Sequence, residues 1–87
     1  MSYQVEFEPE ALADLDRMDS SDRKRIFRKI NWLALNFEQT TSQRLSANLA
    51  GFYKLRVGNY RVIYSVDEQG QLVAIIRVGH RSEIYDM

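Results

Sequence analysis

Lys54, Arg56 and Arg61 stand at spacings that would bring three positive charges to one face of a β-hairpin, a chemistry suited to holding a phosphate or a carboxylate. The run Phe52-Tyr53-Lys54-Leu55-Arg56-Val57-Gly58-Asn59-Tyr60-Arg61-Val62-Ile63-Tyr64 is two alternating stretches joined by Gly-Asn. That is the signal of a two-residue hairpin with glycine at the first turn position. Such a loop sets Val57 opposite Tyr60, Arg56 opposite Arg61, Leu55 opposite Val62 and Lys54 opposite Ile63. Opposed residues share a face, so Leu55, Val57, Tyr60, Val62 and Tyr64, with Tyr53 by the same parity, would cover a core while the cations occupy the other side. Two arginines directly opposite repel by up to about 1 kcal/mol. Folding alone gives no reason for that pairing, whereas a bound anion would; the alternative is a solvated face on an open sheet.

The chain then closes on Arg77-Val78-Gly79-His80-Arg81-Ser82-Glu83-Ile84-Tyr85. Histidine is the side chain whose ordinary pKa lies nearest neutrality, so His80 is a residue-based candidate for moving a proton. A strand-end histidine bonded to backbone is the alternative. Glu83 beside Arg81 reads as a local ion pair of small value. No glycine-rich phosphate loop, nucleophilic Ser or Cys constellation or paired-carboxylate site is evident.

The elements that must position these groups follow from patterning. Tyr3 to Phe7 alternates as a short strand, and Pro9 suits the first turn of a helix with Glu8 and Glu10 at its positive end. Ala11, Leu12, Leu15 and Met18 form that helix's apolar stripe. The cluster Asp19-Ser20-Ser21-Asp22 breaks it and caps a second helix, in which Ile26, Ile30, Leu33 and Phe37, supported by Phe27 and Ala34, face the sheet. The opposite face carries Lys24, Arg25, Arg28, Lys29 and Trp32, either a solvated surface or a contact with an RNA backbone or an acidic peptide. Glu38 to Asn48 reads as a connecting loop, with Leu45 and Leu49 as anchors and Arg44 as an extra phosphate contact. After the turn Asp67-Glu68-Gln69-Gly70, Leu72 to Val78 is nearly continuous in apolar residues, as expected of a strand covered on both faces. The prediction is an α+β domain spanning 1–87, with an N-terminal strand, a helical hairpin and an antiparallel three-strand meander, the antiparallel sheet being backed by the two helices.

Composition sets the bounds. Eighty-seven residues, 45% hydrophobic with ten aromatics, suit one small core. The absence of cysteine excludes a disulfide framework and a thiolate zinc site, and a single His makes a His-based metal cluster improbable. Neither a secretory leader nor an apolar run long enough for a membrane is expected, and a reducing cytoplasm is compatible. The formal net charge is zero but segregated: residues 1–22 hold one basic and seven acidic residues, 23–64 nine basic and one acidic, and 65–87 two basic and four acidic. A local patch of this kind can attract a polyanion although the whole chain is neutral.

With these residues in place, the chain resembles the RelE/ParE superfamily of bacterial toxins, in its RelE-like branch. The resemblance spans nearly the whole chain. Its specific parts are Leu49-x-Gly51, Tyr53-Lys54-Leu55-Arg56-Val57-Gly58-x-Tyr60-Arg61-Val62-Ile63-Tyr64 and Arg77-Val78-Gly79-His80-Arg81-x-Glu83-Ile84-Tyr85. It implies a toxin of a type II toxin–antitoxin system, restrained by a RelB-like antitoxin that itself contacts operator DNA. Once free, such a toxin enters the ribosomal A site and cuts mRNA without metal or other cofactor. Lys54 and Arg56 match the family's basic residues on the first hairpin strand, Arg61 the arginine after the hairpin tyrosine, Arg81 the basic residue after Val-Gly, and Tyr85 the terminal tyrosine. Arg56 stands where the best-known pattern has lysine, and the segment from Arg81 to Tyr85 is shorter.

Metal-free cleavage requires the 2′-hydroxyl deprotonated, the phosphorane stabilised and the 5′-oxygen protonated. Lys54, Arg56 and Arg61 suit the second task, because guanidinium forks match phosphate oxygens. Tyr85 is the candidate base, since neighbouring cations favour a phenolate whose ordinary pKa is near ~10. Arg81 would be the acid or a charge clamp, with His80 the rival proton carrier. Two other functions stay open at this point: a noncatalytic inhibitor of DNA gyrase of the ParE kind, and an inactive member that only binds antitoxin.

Overall fold

The computed structural model describes residues 3–36, 43–44, 51–80 and 82. Phe37, Leu45, Leu49, Arg81, Glu83 and Tyr85, to which the sequence assigned roles, lie outside them. The order of elements is β1 (Gln4–Phe7), α1 (Pro9–Asp16), α2 (Ser20–Leu35), β2 (Gln43–Arg44), β3 (Phe52–Val57), β4 (Tyr60–Asp67) and β5 (Leu72–His80). They build one five-stranded sheet in the order β1-β5-β4-β3-β2. Both helices pack on one face, giving the expected α+β layering.

Local signals act as read. Pro9 opens α1 at its first turn. Asp19 caps α2, its side chain accepting from Asp22 N at 3.0 Å and satisfying one of the donors a helix start leaves over. The hairpin register pairs Val57 with Tyr60, Arg56 with Arg61, Leu55 with Val62 and Lys54 with Ile63. At its tip Gly58 has φ +60°, the left-handed region where a side chain is strained, and a Cβ there would meet Arg25 Nη2 at 2.9 Å. Gly58→Ala is therefore expected to lower unfolding stability by roughly 1–2 kcal/mol, measured by urea denaturation.

Non-local pairing departs from the reading in two places. The sheet is mixed, because β1 runs parallel to β5, with Gln4 opposite Leu72 through Phe7 opposite Ile75. In addition, the segment read as loop from Glu38 to Asn48 contains β2, which pairs antiparallel with Lys54 and Tyr53 and covers backbone groups that β3 would otherwise leave open at the edge.

The core lies between the helices and the sheet. Ala11, Leu15, Ile26, Ile30, Leu33 and Ala34 meet Val57, Val62, Tyr64, Val73, Ile75 and Val78. Tyr53 and Tyr64 stack at 5.5 Å between ring centroids, serving packing as expected. Leu12, assigned to the stripe of α1, is instead 48% exposed, and Asp14 turns inward, 4% exposed. On the sheet's outer face a second apolar cluster gathers Phe52 and Ile76 around Ile63.

Candidate anion-binding face and its surroundings

The outer face of the hairpin carries the three cations together. Arg56 is exposed beside the half-buried Arg61 across the ladder, and Lys54 lies one side-chain step further along β3. Arg61 is also paired with Gly79 of β5. Such a face can hold an anion that receives donors from two strands at once.

His80 is placed elsewhere. The β4–β5 register slips between Ile63 and Tyr64: Ile63 pairs with Arg77 and Tyr64 with Ile75, leaving Ile76 as the extra residue of a β-bulge. Counted by simple alternation from Val73 and Ile75, His80 would share the cationic face. The bulge reverses the count, returning Val78 to the core and setting His80 opposite Tyr60 on the helix side, where the two rings meet edge to face at 5.8 Å. Ser82 N donates to His80 Nδ1 at 3.2 Å, and Ser82 Oγ lies 2.8 Å from the same nitrogen. Thus Lys54, Arg56 and Arg61 come together, while His80 is separated from them by the sheet.

Arg25, Arg28 and Lys29 also lie on the helix side. They line a shallow groove of about 280 Å³ with Trp32 and Val57. Lys29 Nζ sits 4.4 Å from the ring centroid of Trp32, a residue 44% exposed. These cations form a surface distinct from the hairpin face. Arg44 belongs to β2 beside Tyr53.

One functional group escaped the sequence reading. β1 covers β5 only as far as Ile75, whose carbonyl accepts from Glu8 N at 2.9 Å; there the chain turns into α1. Asp14 takes over the uncovered edge. Its Oδ2 accepts from Val78 N at 2.9 Å and from Arg77 Nε at 2.8 Å, and its Oδ1 accepts from Arg77 Nη2 at 3.3 Å and from Arg17. Burial works to raise the Asp14 carboxyl, but the Arg77 and Val78 hydrogen bonds with the charges of Arg77 and Arg17 outweigh it and hold the pKa below the ordinary value. The available signal was an aspartate one place before Leu15 on an apolar stripe, matched by an arginine inside an apolar strand.

Beside this edge a cleft of about 580 Å³ opens between the α1–α2 junction and the ends of β4 and β5. In it Tyr60 donates its hydroxyl to Asp22 Oδ2 at 2.9 Å, and that bond, followed by burial, raises the tyrosine pKa. Among the described residues no three His, Cys, Asp or Glu side chains cluster so as to hold a metal ion, and no helix is long and apolar enough to cross a membrane.

A mixed sheet with two helices on one face and a cationic hairpin on the other defines a class already represented among solved structures. The fold matches the toxin–antitoxin complex RelBE2 from Mycobacterium tuberculosis with a TM-score of 0.83 at 28% identity, over 93% of this chain and 100% of that one. It also matches an arginine-to-alanine double variant of Escherichia coli RelE in the free state, with a TM-score of 0.77 at 26% identity over 95% and 87%. By sequence, the chain is 32% identical to the mRNA interferase toxin RelE of Escherichia coli K12, over 98% of this chain and 92% of that one. Toxin RelG of Mycobacterium tuberculosis is 44% identical over a shorter stretch, 47% of each chain. The family model of the ParE toxin of type II toxin-antitoxin systems, parDE, matches residues 5–85. The chain belongs to this RelE/ParE family of type II toxins, on its RelE-like branch.

Proposed function

We propose that this toxin is a ribosome-dependent endoribonuclease that cuts mRNA in the A site by metal-free attack of the 2′-hydroxyl, halting translation in the cytoplasm. The observation that carries this reading is the placement of Arg56 directly across from Arg61, with Lys54 on the same face. Fixed guanidinium donors help most where negative charge builds, which in this reaction is on the equatorial oxygens of the phosphorane. In this scheme Lys54, Arg56 and Arg61 grip the scissile phosphate, Tyr85 draws the proton from the 2′-hydroxyl and Arg81 serves the leaving oxygen. The ribosome supplies part of the substrate's orientation, so activity on free RNA is expected to be weak. Relatives bearing the name mRNA interferase support the reading.

The test is primer extension on a message held in translating ribosomes. Discrete breaks inside A-site codons are expected; an intact message with arrested growth would sink the proposal. His80→Gln should cut within a few-fold of wild type, because its ring lies across the sheet from the cations, whereas loss of a true acid or base costs about 10²–10⁴-fold. A loss of that size in single-turnover cleavage would return His80 to the reaction.

A cognate RelB-like antitoxin is the proposed partner, in line with the RelE–RelB complexes among the structural neighbours; operator DNA would be reached only through it. Coexpression should yield a copurifying complex, and a lone toxin would count against it. Inhibition of DNA gyrase is a second reading, favoured by the ParE description of the matching family model. It leaves the shared cationic face without a task. Accumulation of cleaved complexes with gyrase and supercoiled DNA would select it.

A further inference from the structure

The outer face of the sheet holds an apolar island that the phosphate chemistry does not use. Ile63 is only 2% exposed although both helices lie on the other face, and it is enclosed by Phe52 and Ile76. The island adjoins the cations directly: Ile63 is opposite Lys54 and two residues along β4 from Arg61, and Phe52 is two residues along β3 from Lys54. Alternate residues of a strand are spaced by about 7 Å, so Arg56, Lys54 and Phe52 form an evenly stepped row on one face. That step is comparable to the separation of successive phosphates in an extended RNA strand.

We propose that Phe52 and Ile76, the partly exposed residues packed over the buried Ile63, form a seat for a nucleobase of the same RNA strand whose phosphates are held by Arg56, Arg61 and Lys54. This rests on the endoribonuclease reading and adds to it a group that discriminates among substrates. Single-stranded nucleic acid is bound by cations that follow the backbone and by aromatic or apolar surfaces on which bases stack. Both are present here in continuous order. Neither 52–56 nor 61–65 contains a carboxylate to repel the strand, and the negative charge of the sheet lies further off, at Asp67 on the far end of β4 and Glu6 on β1. The footprint this leaves is short, a base and its flanking phosphates.

The experiment compares Phe52→Leu, which keeps apolar bulk and loses the ring, with Phe52→Tyr, which keeps the ring. Each is assayed on ribosomes programmed with messages that differ in the A-site codon. Phe52→Leu is expected to lower cleavage efficiency on the order of 10-fold and to change the order in which codons are cut, with Tyr restoring both. The break should stay at the same place within the codon and still require Arg61. Thermal melting near that of wild type would show that the fold is retained. Equal efficiency and codon order for Phe52→Leu and wild type would overturn the seat while leaving the endoribonuclease reading intact. No cleavage of any message by the wild type would overturn both. Unchanged cleavage with weakened antitoxin binding would assign the island to a protein contact and overturn the proposal.

Discussion

Arg61→Ala is expected to lower the rate of A-site cleavage by about 10²–10³-fold, the usual cost of deleting a fixed donor aimed at a charge-building transition state. Arg61 combines two features. It faces Arg56 across the ladder and pairs with a glycine of β5, so a phosphate beside it receives donors from two strands. Because Arg56 and Lys54 remain, binding of the programmed ribosome should change little and the loss should fall on the chemical step. Arg61→Lys should recover only part of the rate, since an ammonium is a point charge and lacks the planar fork that matches two phosphate oxygens. Single-turnover primer extension at saturating ribosome concentration measures both. A variant that cuts as fast as wild type would remove Arg61 from the reaction.

The second large effect is on stability. Asp14→Ala should lower unfolding free energy by about 1–3 kcal/mol, because it leaves the buried Val78 N–H without its acceptor and removes the partner of the partly exposed Arg77. In this case Arg77 and the Val78 N–H would both lose their acceptor at the uncovered edge of β5. Asp14→Asn keeps the volume and one acceptor oxygen, so its cost should be smaller. The pH dependence follows from the lowered pKa of Asp14. A carboxyl depressed in the folded state contributes its stability above its unfolded pKa, about 3.9 for aspartate. That contribution is lost as pH falls through the folded value. Guanidinium denaturation between pH 7 and pH 3 should therefore show the gap between wild type and Asp14→Ala closing at the acid end. A gap constant across that range would mean that the carboxylate charge is not what stabilises the edge.

The parts of the fold that were legible in the sequence are those decided within a few residues. Gly58-Asn59 fixed the hairpin register and hence which face each cation takes, and Asp19 announced the start of α2. Features that depend on meetings between distant segments were not readable. β1 and β5 pair across nearly the full length of the chain, and nothing in Gln4–Phe7 states that the neighbour is parallel. Asp14 drew no reading because its partners, Arg77 and Val78, lie more than sixty positions away. For the candidate site, the grouping of Lys54, Arg56 and Arg61 was legible because one turn controls it. The side of the sheet taken by His80 was not, since it depends on one additional residue in a strand whose alternation gave no warning.

That additional residue has a consequence for how relatives are compared. Past Ile76, a position's orientation is set by its distance from the bulge as well as by its place in the motif. In a relative of equal strand length that pairs without the bulge, the positions of Val78 and His80 would take the outer face in place of those of Arg77 and Gly79. Two toxins with the same order of valine, glycine and histidine would then present different side chains beside the hairpin cations. Transferring a catalytic role along an alignment at this end of the domain therefore requires the bulge to be counted first. An imidazole on the cationic face in one member and on the helix face in another can be the outcome of a bulge alone, with no change in the residues beyond it.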